Sequence, residues 1–200
     1  HFTDEIMPTL ADYGGGSGCG AMFFQDARWP AGFNNLLLTC DWGRSEVFSH
    51  ILPINGPTFD AQQDTFLKLP RPTDIDADGS GRMYVSSWKN GKFDYSGPNV
   101  GFVAQITPVD FLAKPFPNLA KSTDEQLVGY FSSPSAVYRL HSQRELLRRG
   151  SSPSRTRMLV DYAGSDGPLF GRVAAIFTLK QLDGSASTRA LVTLAVVPAV

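Results

Sequence analysis

The chain has 200 residues, 42% hydrophobic and 18% charged, and its formal net charge at pH 7 is −1. This is the composition of an ordinary globular protein of one or two domains. No charged-then-apolar leader is present, and no apolar run approaches the roughly eighteen residues that a membrane span requires, so no membrane span is expected. The start at His1 rather than Met suggests a piece cut from something longer.

Charge is unevenly distributed: residues 1–117 carry 8 Lys/Arg against 13 Asp/Glu, and residues 118–200 carry 10 against 6. The basic excess of four in the back half is diffuse, and a solvated helical face explains it better than nucleic acid does. Two cysteines, Cys19 and Cys40, form no C-x-x-C or C-x-x-C-H motif, which excludes a zinc knuckle and covalent haem attachment. If the intervening segment is a hairpin turning at Trp29-Pro30, residues whose numbers sum to 59 face each other, and Cys19 and Cys40 are cross-strand neighbours. They are then either a disulfide of an oxidising compartment or two small buried hydrophobes.

In chain order, β-prone runs at 19–25, 34–41, 45–52, 58–69, 71–77, 82–88 and 100–107 alternate with Gly-, Pro- and Asn-rich turns. Short strands at about ten-residue spacing predict a sandwich, barrel or propeller rather than an α/β sheet. The pieces recur in the same order, which predicts one four-stranded unit followed by the beginning of a second. Two such units cannot close a ring.

After Pro115-Phe116-Pro117 the apolar period changes from 2 to 3.6. Ser122-Thr123-Asp124-Glu125 reads as a capping box with Ser122 and Glu125 as its partners. Pro134, Pro153 and Pro168 are placed at first helical turns, and Gly150 and Gly184 at helix ends. Arg139-Leu140 and Leu146 recur 33 residues later as Arg172-Val173 and Leu179. That period predicts helical pairs stacked as a solenoid, and the missing tetratricopeptide and ankyrin signatures favour the HEAT type. Leu191, Leu194 and Val197 are expected to form an uncovered apolar face, and Arg148-Arg149 to complement a helix dipole.

Gly18-Cys19-Gly20-Ala21-Met22-Phe23-Phe24, Trp29-Pro30-Ala31-Gly32-Phe33 and Asn35-Leu36-Leu37-Leu38-Thr39-Cys40-Asp41-Trp42-Gly43-Arg44 resemble the late blades of soluble quinoprotein glucose/sorbosone dehydrogenases. Leu69-Pro70-Arg71-Pro72-Thr73-Asp74-Ile75, Asp78-Gly79 and Met83-Tyr84-Val85 are similar to that family's arginine loop, Asp-Gly turn and following strand. Followed by residues 139–150, the order is closest to multidomain membrane-bound dehydrogenases with HEAT repeats behind such a propeller. The resemblance implies a β + α fragment, with propeller blades over 1–117 and an incomplete helical array over 118–200.

The resemblance further implies pyrroloquinoline quinone (PQQ) as cofactor, a sugar or other small-molecule substrate, and a periplasmic or otherwise extracytoplasmic location. Helical repeats would dock a partner such as a cytochrome c. The family's catalytic base, a histidine from an early blade, has no counterpart in His1, His50 or His141. Arg71 stands at the family's first loop arginine, whereas Thr73 replaces the second. Asp41-Trp42 occupies the place of a lysine, with Arg44 two residues on. Arg71, Arg44 and Trp42 are therefore the candidate cofactor-binding residues, since a fixed guanidinium stabilises charge that builds on a reduced quinone.

Other readings compete for some of the same residues. Asp74, Asp76 and Asp78 with Gly79 resemble the start of a calcium loop, but Val85 stands where an acid is needed, and a β-hairpin explains the pattern too. Trp42, Trp88 and Tyr95 are candidates for a sugar-stacking platform or for packing between blades. Ser and His are too scattered for a hydrolytic triad. A non-catalytic propeller and HEAT scaffold binding protein or glycan is the alternative to the oxidoreductase.

Overall fold

Short β-prone runs punctuated by glycine, proline and asparagine fold as antiparallel strands, and the 3.6-period segments fold as helices. The computed structural model describes residues 9–89 and 100–196. The chain is a β + α fold of two compact units, His1–Ala113 and Lys114–Val200.

In the strand unit, β1 (Gly18–Phe24), β2 (Leu36–Asp41), β3 (Glu46–Ile51) and β6 (Gln62–Lys68) form a four-stranded antiparallel sheet in the order β1-β2-β3-β6. A two-stranded ribbon, β4 (Ile54–Asn55) and β5 (Thr58–Phe59), leaves the sheet between β3 and β6. The expected run 58–69 is thus broken in two. Asp60 N–H donates to Pro53 O at 2.9 Å and Asn55 Nδ2 to Asp60 Oδ1 at 3.0 Å, closing the ribbon before β6 begins. A second sheet holds β7 (Pro72–Ala77), β8 (Met83–Ser87) and β9 (Phe102–Ile106) in that order.

The sheets meet through one face of the first. Leu36, Leu38 and Cys40 of β2 and Val47 of β3 join Ile75, Met83 and Val85 in a single buried cluster. Each such fully buried side chain contributes about 1.5–3 kcal/mol of transfer free energy. Strand β7 lies against β1 and β2, and Gly20 permits this approach. A Cβ there would sit 2.4 Å from the Asp74 Cα. The loop after β1 locks onto the β7–β8 turn, where Trp29 Nε1 donates to Gly81 O at 2.7 Å.

The β1–β2 hairpin carries an irregularity the numerical pairing did not foresee. Gly18 faces Asp41, a sum of 59, but from Ala21↔Thr39 to Phe24↔Leu36 the sum is 60, with a bulge between. Both cysteines are free thiols. Cys40 is buried in the core, whereas Cys19 is exposed and points to backbone carbonyls, Cys40 O at 3.5 Å and Pro72 O at 3.2 Å. The reading of two buried hydrophobes therefore holds for Cys40 alone.

The helical unit contains α1 (Asp124–Gly129), α2 (Ala136–Arg149), α3 (Pro153–Ala163), α4 (Leu169–Asp183) and α5 (Thr188–Leu194). The capping box is displaced by one residue from the expected one. Thr123 is the N-cap and Gln126 its partner, with Gln126 N–H donating to Thr123 Oγ1 at 3.3 Å and Thr123 N–H to Gln126 Oε1 at 2.9 Å. Pro153 occupies a first turn behind the Ser152 cap, but Pro168 is itself an N-cap and Pro134 precedes the Ser135 cap. Gly150 and Gly184 close α2 and α4 with φ of 78° and 53°.

Helix α3 packs on α1 and on α5, while α2 packs on α4. Equivalent positions carry equivalent work. Arg139, the fourth residue of α2, donates from Nη1 to Ser133 O at 2.6 Å. Arg172, the fourth residue of α4, donates from Nε to Ala163 O at 3.0 Å. Each reaches back to a carbonyl at the end of the helical turn before it, where the partial charge is negative. Leu146 and Leu179, also 33 apart, are both fully buried. Leu191 and Leu194 of the expected open face are partly buried against the same core, and Val197 lies outside the described residues.

Candidate functional site

The ends of β2, β7 and β8 bring together the aromatic and cationic residues singled out in the sequence. β2 runs out at Asp41 and delivers Trp42, β7 is preceded by Arg71, and β8 is followed by Trp88. Trp88 N–H donates to Arg71 O at 3.0 Å, extending the β7–β8 ladder by one step. Arg71 has φ of 46°, the left-handed region, and its N–H donates to Ser45 Oγ at 3.3 Å. Its guanidinium carbon lies 4.0 Å from the Trp42 ring centroid. This is a cation–π contact of guanidinium on indole. Trp88 stands 6.2 Å from Trp42, tilted by 47°, and Tyr95, the third member of the expected platform, lies outside the described residues.

Arg44 is engaged elsewhere. It donates from Nε to Gly15 O at 2.9 Å and from Nη2 to Gly14 O at 3.0 Å, clamping the glycine turn ahead of β1. Asp41, at the place of the family's lysine, is fully buried and organises the backbone. Its Oδ1 accepts from Ser17 N–H at 3.1 Å and Arg44 N–H at 2.8 Å. The Asp41 Oδ2 and Trp42 Nε1 atoms are buried without a hydrogen-bond partner among the described residues. Thr73, at the family's second arginine position, is hydrogen-bonded to Ser86 Oγ at 2.8 Å.

The three aspartates of the calcium-like stretch each serve local backbone. Asp74 Oδ1 accepts from Ile75 N–H at 2.9 Å and Asp76 Oδ1 from Ala77 N–H at 2.8 Å. Asp78 Oδ1 accepts from Ser80 N–H and Oγ and from Arg82 N–H, and Oδ2 from Tyr84 O–H at 3.1 Å. Burial pushes the Asp78 carboxyl up, but the hydrogen bonds from Ser80, Arg82 and Tyr84 outweigh it and hold it below the usual range. No group of three or more His, Cys, Asp or Glu side chains is arranged for a metal ion among the described residues.

Burial perturbs both thiols and the His50 imidazole. Burial, then the neighbouring Cys19 and Asp74, pushes the Cys40 thiol up to about 12, and burial also raises Cys19. Neither is a thiolate at neutral pH. Burial lowers the His50 pKa, so the imidazole is neutral at pH 7. It sits with Nε2 at 3.0 Å from Thr39 Oγ1 and 3.1 Å from Tyr13 O–H. Sequence reasoning passed over this Tyr13, Thr39 and His50 group. The alternation along β2 and β3 places Thr39 and His50 on the sheet face opposite Cys40 and Val47, whereas nothing in the sequence brings Tyr13 to them.

No helix among the described residues is long and apolar enough to cross a membrane. No protein-family model, curated protein or solved structure matches the chain.

Proposed function

We propose that the chain is part of a glucose/sorbosone dehydrogenase-like quinoprotein, its strand unit the closing blades of a propeller and its helical unit a HEAT-like array that docks a partner protein. The observation carrying this reading is the Arg71 guanidinium stacked on Trp42 where β2 ends and β7 begins. The first strands of the two sheets lie together, β1 against β7, as radially arranged blades require. The like-with-like packing of α1 on α3 and α2 on α4, with matched Arg139 and Arg172, suits a solenoid.

On this reading PQQ supplies the electron sink, and Arg71 holds negative charge on its oxygens beside an indole that excludes water. Arg44 contributes by fixing the glycine turn and Asp41, not by direct contact. Calcium, where it takes part, needs donors other than the Asp78 turn. The substrate is a sugar or related alcohol, the acceptor a cytochrome c or similar protein, and the location extracytoplasmic.

PQQ titrated into the chain with calcium should quench indole fluorescence saturably. Arg71→Ala should weaken binding at least tenfold, about 1.4 kcal/mol, and Arg71→Lys by less. Equal binding by Arg71→Ala would remove Arg71 from the site, and no quenching with the unaltered chain would remove the quinone. A second reading, a non-catalytic scaffold binding protein or glycan, draws support from Arg44 and Thr73 being committed to protein partners. For that module the same titration is silent, and aldoses perturb Trp42 and Trp88 without any quinone.

A further inference from the structure

The segment ahead of β1 lies on the face of the first sheet that is turned away from the core. Thr39 of β2 and Phe48 and His50 of β3 belong to that face, alternating with Cys40 and Val47, which point inward. Tyr13 covers them. Its ring centroid lies 4.7 Å from that of Phe48 and 5.9 Å from that of His50, with the imidazole inclined by only 26°. The Tyr13 hydroxyl is 2.5 Å from Thr39 Oγ1 and 3.1 Å from His50 Nε2, and Thr39 Oγ1 is 3.0 Å from the same nitrogen. From Tyr13 the chain turns through Gly14 and Gly15, with φ of 66° and 88°, and reaches Ser17, whose carbonyl accepts from Trp42 N–H at 3.0 Å.

The second ring nitrogen decides what this cluster tolerates. His50 is 2% exposed, and its Nδ1 is buried without a hydrogen-bond partner among the described residues. In the neutral imidazole that atom can remain bare, an acceptor left unpaired. In the imidazolium it carries a proton with nothing to receive it, which is the costlier state. The charged side chains on this face are Asp41 of β2, Glu46 of β3, Lys68 of β6 and Asp12 of the segment itself, and β6 sets uncharged Gln63 opposite His50. Asp41 accepts from Ser17 and Arg44 N–H, Glu46 lies 3.5 Å from Lys68, and Asp12 Oδ1 accepts from Gly14 N–H at 2.7 Å. None of these carboxylates is hydrogen-bonded to the imidazole to balance a charge on it.

We propose that residues 12–17 form a latch over the sheet, closed by Tyr13 against the neutral imidazole of His50 and released when that imidazole takes up a proton. Once Tyr13 has left, Nδ1 donates to water and the charge is solvated. Burial lowers the His50 pKa while the latch is closed, so the released form binds the proton first as pH falls. Closure is therefore fully supported above about pH 6.5, the ordinary imidazole value, and weakens below it. Release parts Ser17 from Asp41 and the Gly14 and Gly15 carbonyls from Arg44, the contacts that hold the segment to the end of β2. The latch operates whether or not a quinone is bound.

Hydrogen exchange of the 200-residue chain at pH 7 and pH 5, corrected for intrinsic rates, reads the latch through the Ser17 and Trp42 amides. Both should lose about tenfold in protection at pH 5, while the amides of the β2–β3 ladder keep theirs. The His50 ring resonances should titrate over the same range. His50→Gln keeps a hydrogen-bonding group for Tyr13 and Thr39 but takes up no proton, and its Ser17 and Trp42 amides should show no such step. Tyr13→Phe keeps the ring without the hydroxyl, and both amides should be poorly protected already at pH 7. Three outcomes overturn the proposal: equal protection at both pH values, a step that persists in His50→Gln and so belongs to Asp12 or Asp41, or ladder amides that loosen together with Ser17 and Trp42. Should His50→Gln fail to fold, the unaltered chain decides, because a ring titration and an exchange step more than about one pH unit apart exclude His50 as the trigger.

Discussion

Replacing Gly20 by alanine is expected to destabilise the strand unit by about 3 kcal/mol, and replacing it by valine by more. The added Cβ would lie 2.2 Å from Asp74 Oδ1 and 2.4 Å from Asp74 Cα. The carboxylate can swing away, but the Cα belongs to β7, so the two sheets must part. Parting them loosens the contact between Leu38 and Cys40 on one side and Ile75 and Val85 on the other. Gly18, two residues earlier on the same strand, has nothing within 4 Å of the equivalent position. Gly18→Ala should therefore change stability by no more than about 0.5 kcal/mol. All three tryptophans, Trp29, Trp42 and Trp88, lie in this unit, so urea unfolding followed by fluorescence reports it separately from the helices. Equal midpoints for Gly18→Ala and Gly20→Ala would mean that the sheets are not in contact at this point.

The strands and helices were legible because their signals are local. Alternation along β2 and β3, the Asp78-Gly79-Ser80-Gly81 turn and the 33-residue echo of Arg139 in Arg172 can all be read without knowing what packs on what. What escaped depends on distant partners. The bulge between Gly18 and Ala21 shifts the pairing of β1 by one residue, and no periodicity in either strand announces it. Arg44 was singled out because it is an arginine near the matching place. Its hydrogen bonds go to the carbonyls of Gly14 and Gly15, some thirty residues earlier, which no local pattern reveals. The place of Asp41 was equally hidden. A carboxylate at a strand end is normally exposed, and only the fold shows it turned inward to hold Ser17 and Arg44. Of the expected cofactor residues, Arg71 and Trp42 are brought into contact, and that contact could not be inferred from a separation of 29 positions.

Arg149→Ala is expected to cost the helical unit about 2 kcal/mol and to blunt its sensitivity to acid. The dipole interaction expected from the sequence understates this residue. Its Nη1 donates to Asp124 Oδ1 at 2.8 Å and its Nε to Glu145 Oε1 at 2.9 Å. Its Nη2 reaches Leu119 O at 3.1 Å and Ser122 O at 2.8 Å. One planar fork thus ties the start of α1 and the turn before it to the end of α2, and Arg155 closes the group through Asp124 Oδ2 at 2.7 Å. Removing it leaves Asp124 and two carbonyls short of donors. Arg149→Lys keeps the charge without the fork and should fall between. Hydrogen bonding from Arg148, together with that from Arg149, holds the Glu145 carboxyl at about 2. Burial raises the Asp124 carboxyl, but Arg149 and Arg155 outweigh it and leave it below the usual range. Both folded-state values lie below those of the unfolded chain, so the unfolded chain takes up protons first as pH falls. The contribution is full above about pH 5 and is lost progressively toward about pH 2. Helical ellipticity during urea unfolding at pH 7, 5, 4 and 3 should show a steep loss of stability in the unaltered chain and a shallower one in Arg149→Ala. Parallel pH profiles would mean that the Arg149 fork does not set the acid response of Glu145 and Asp124.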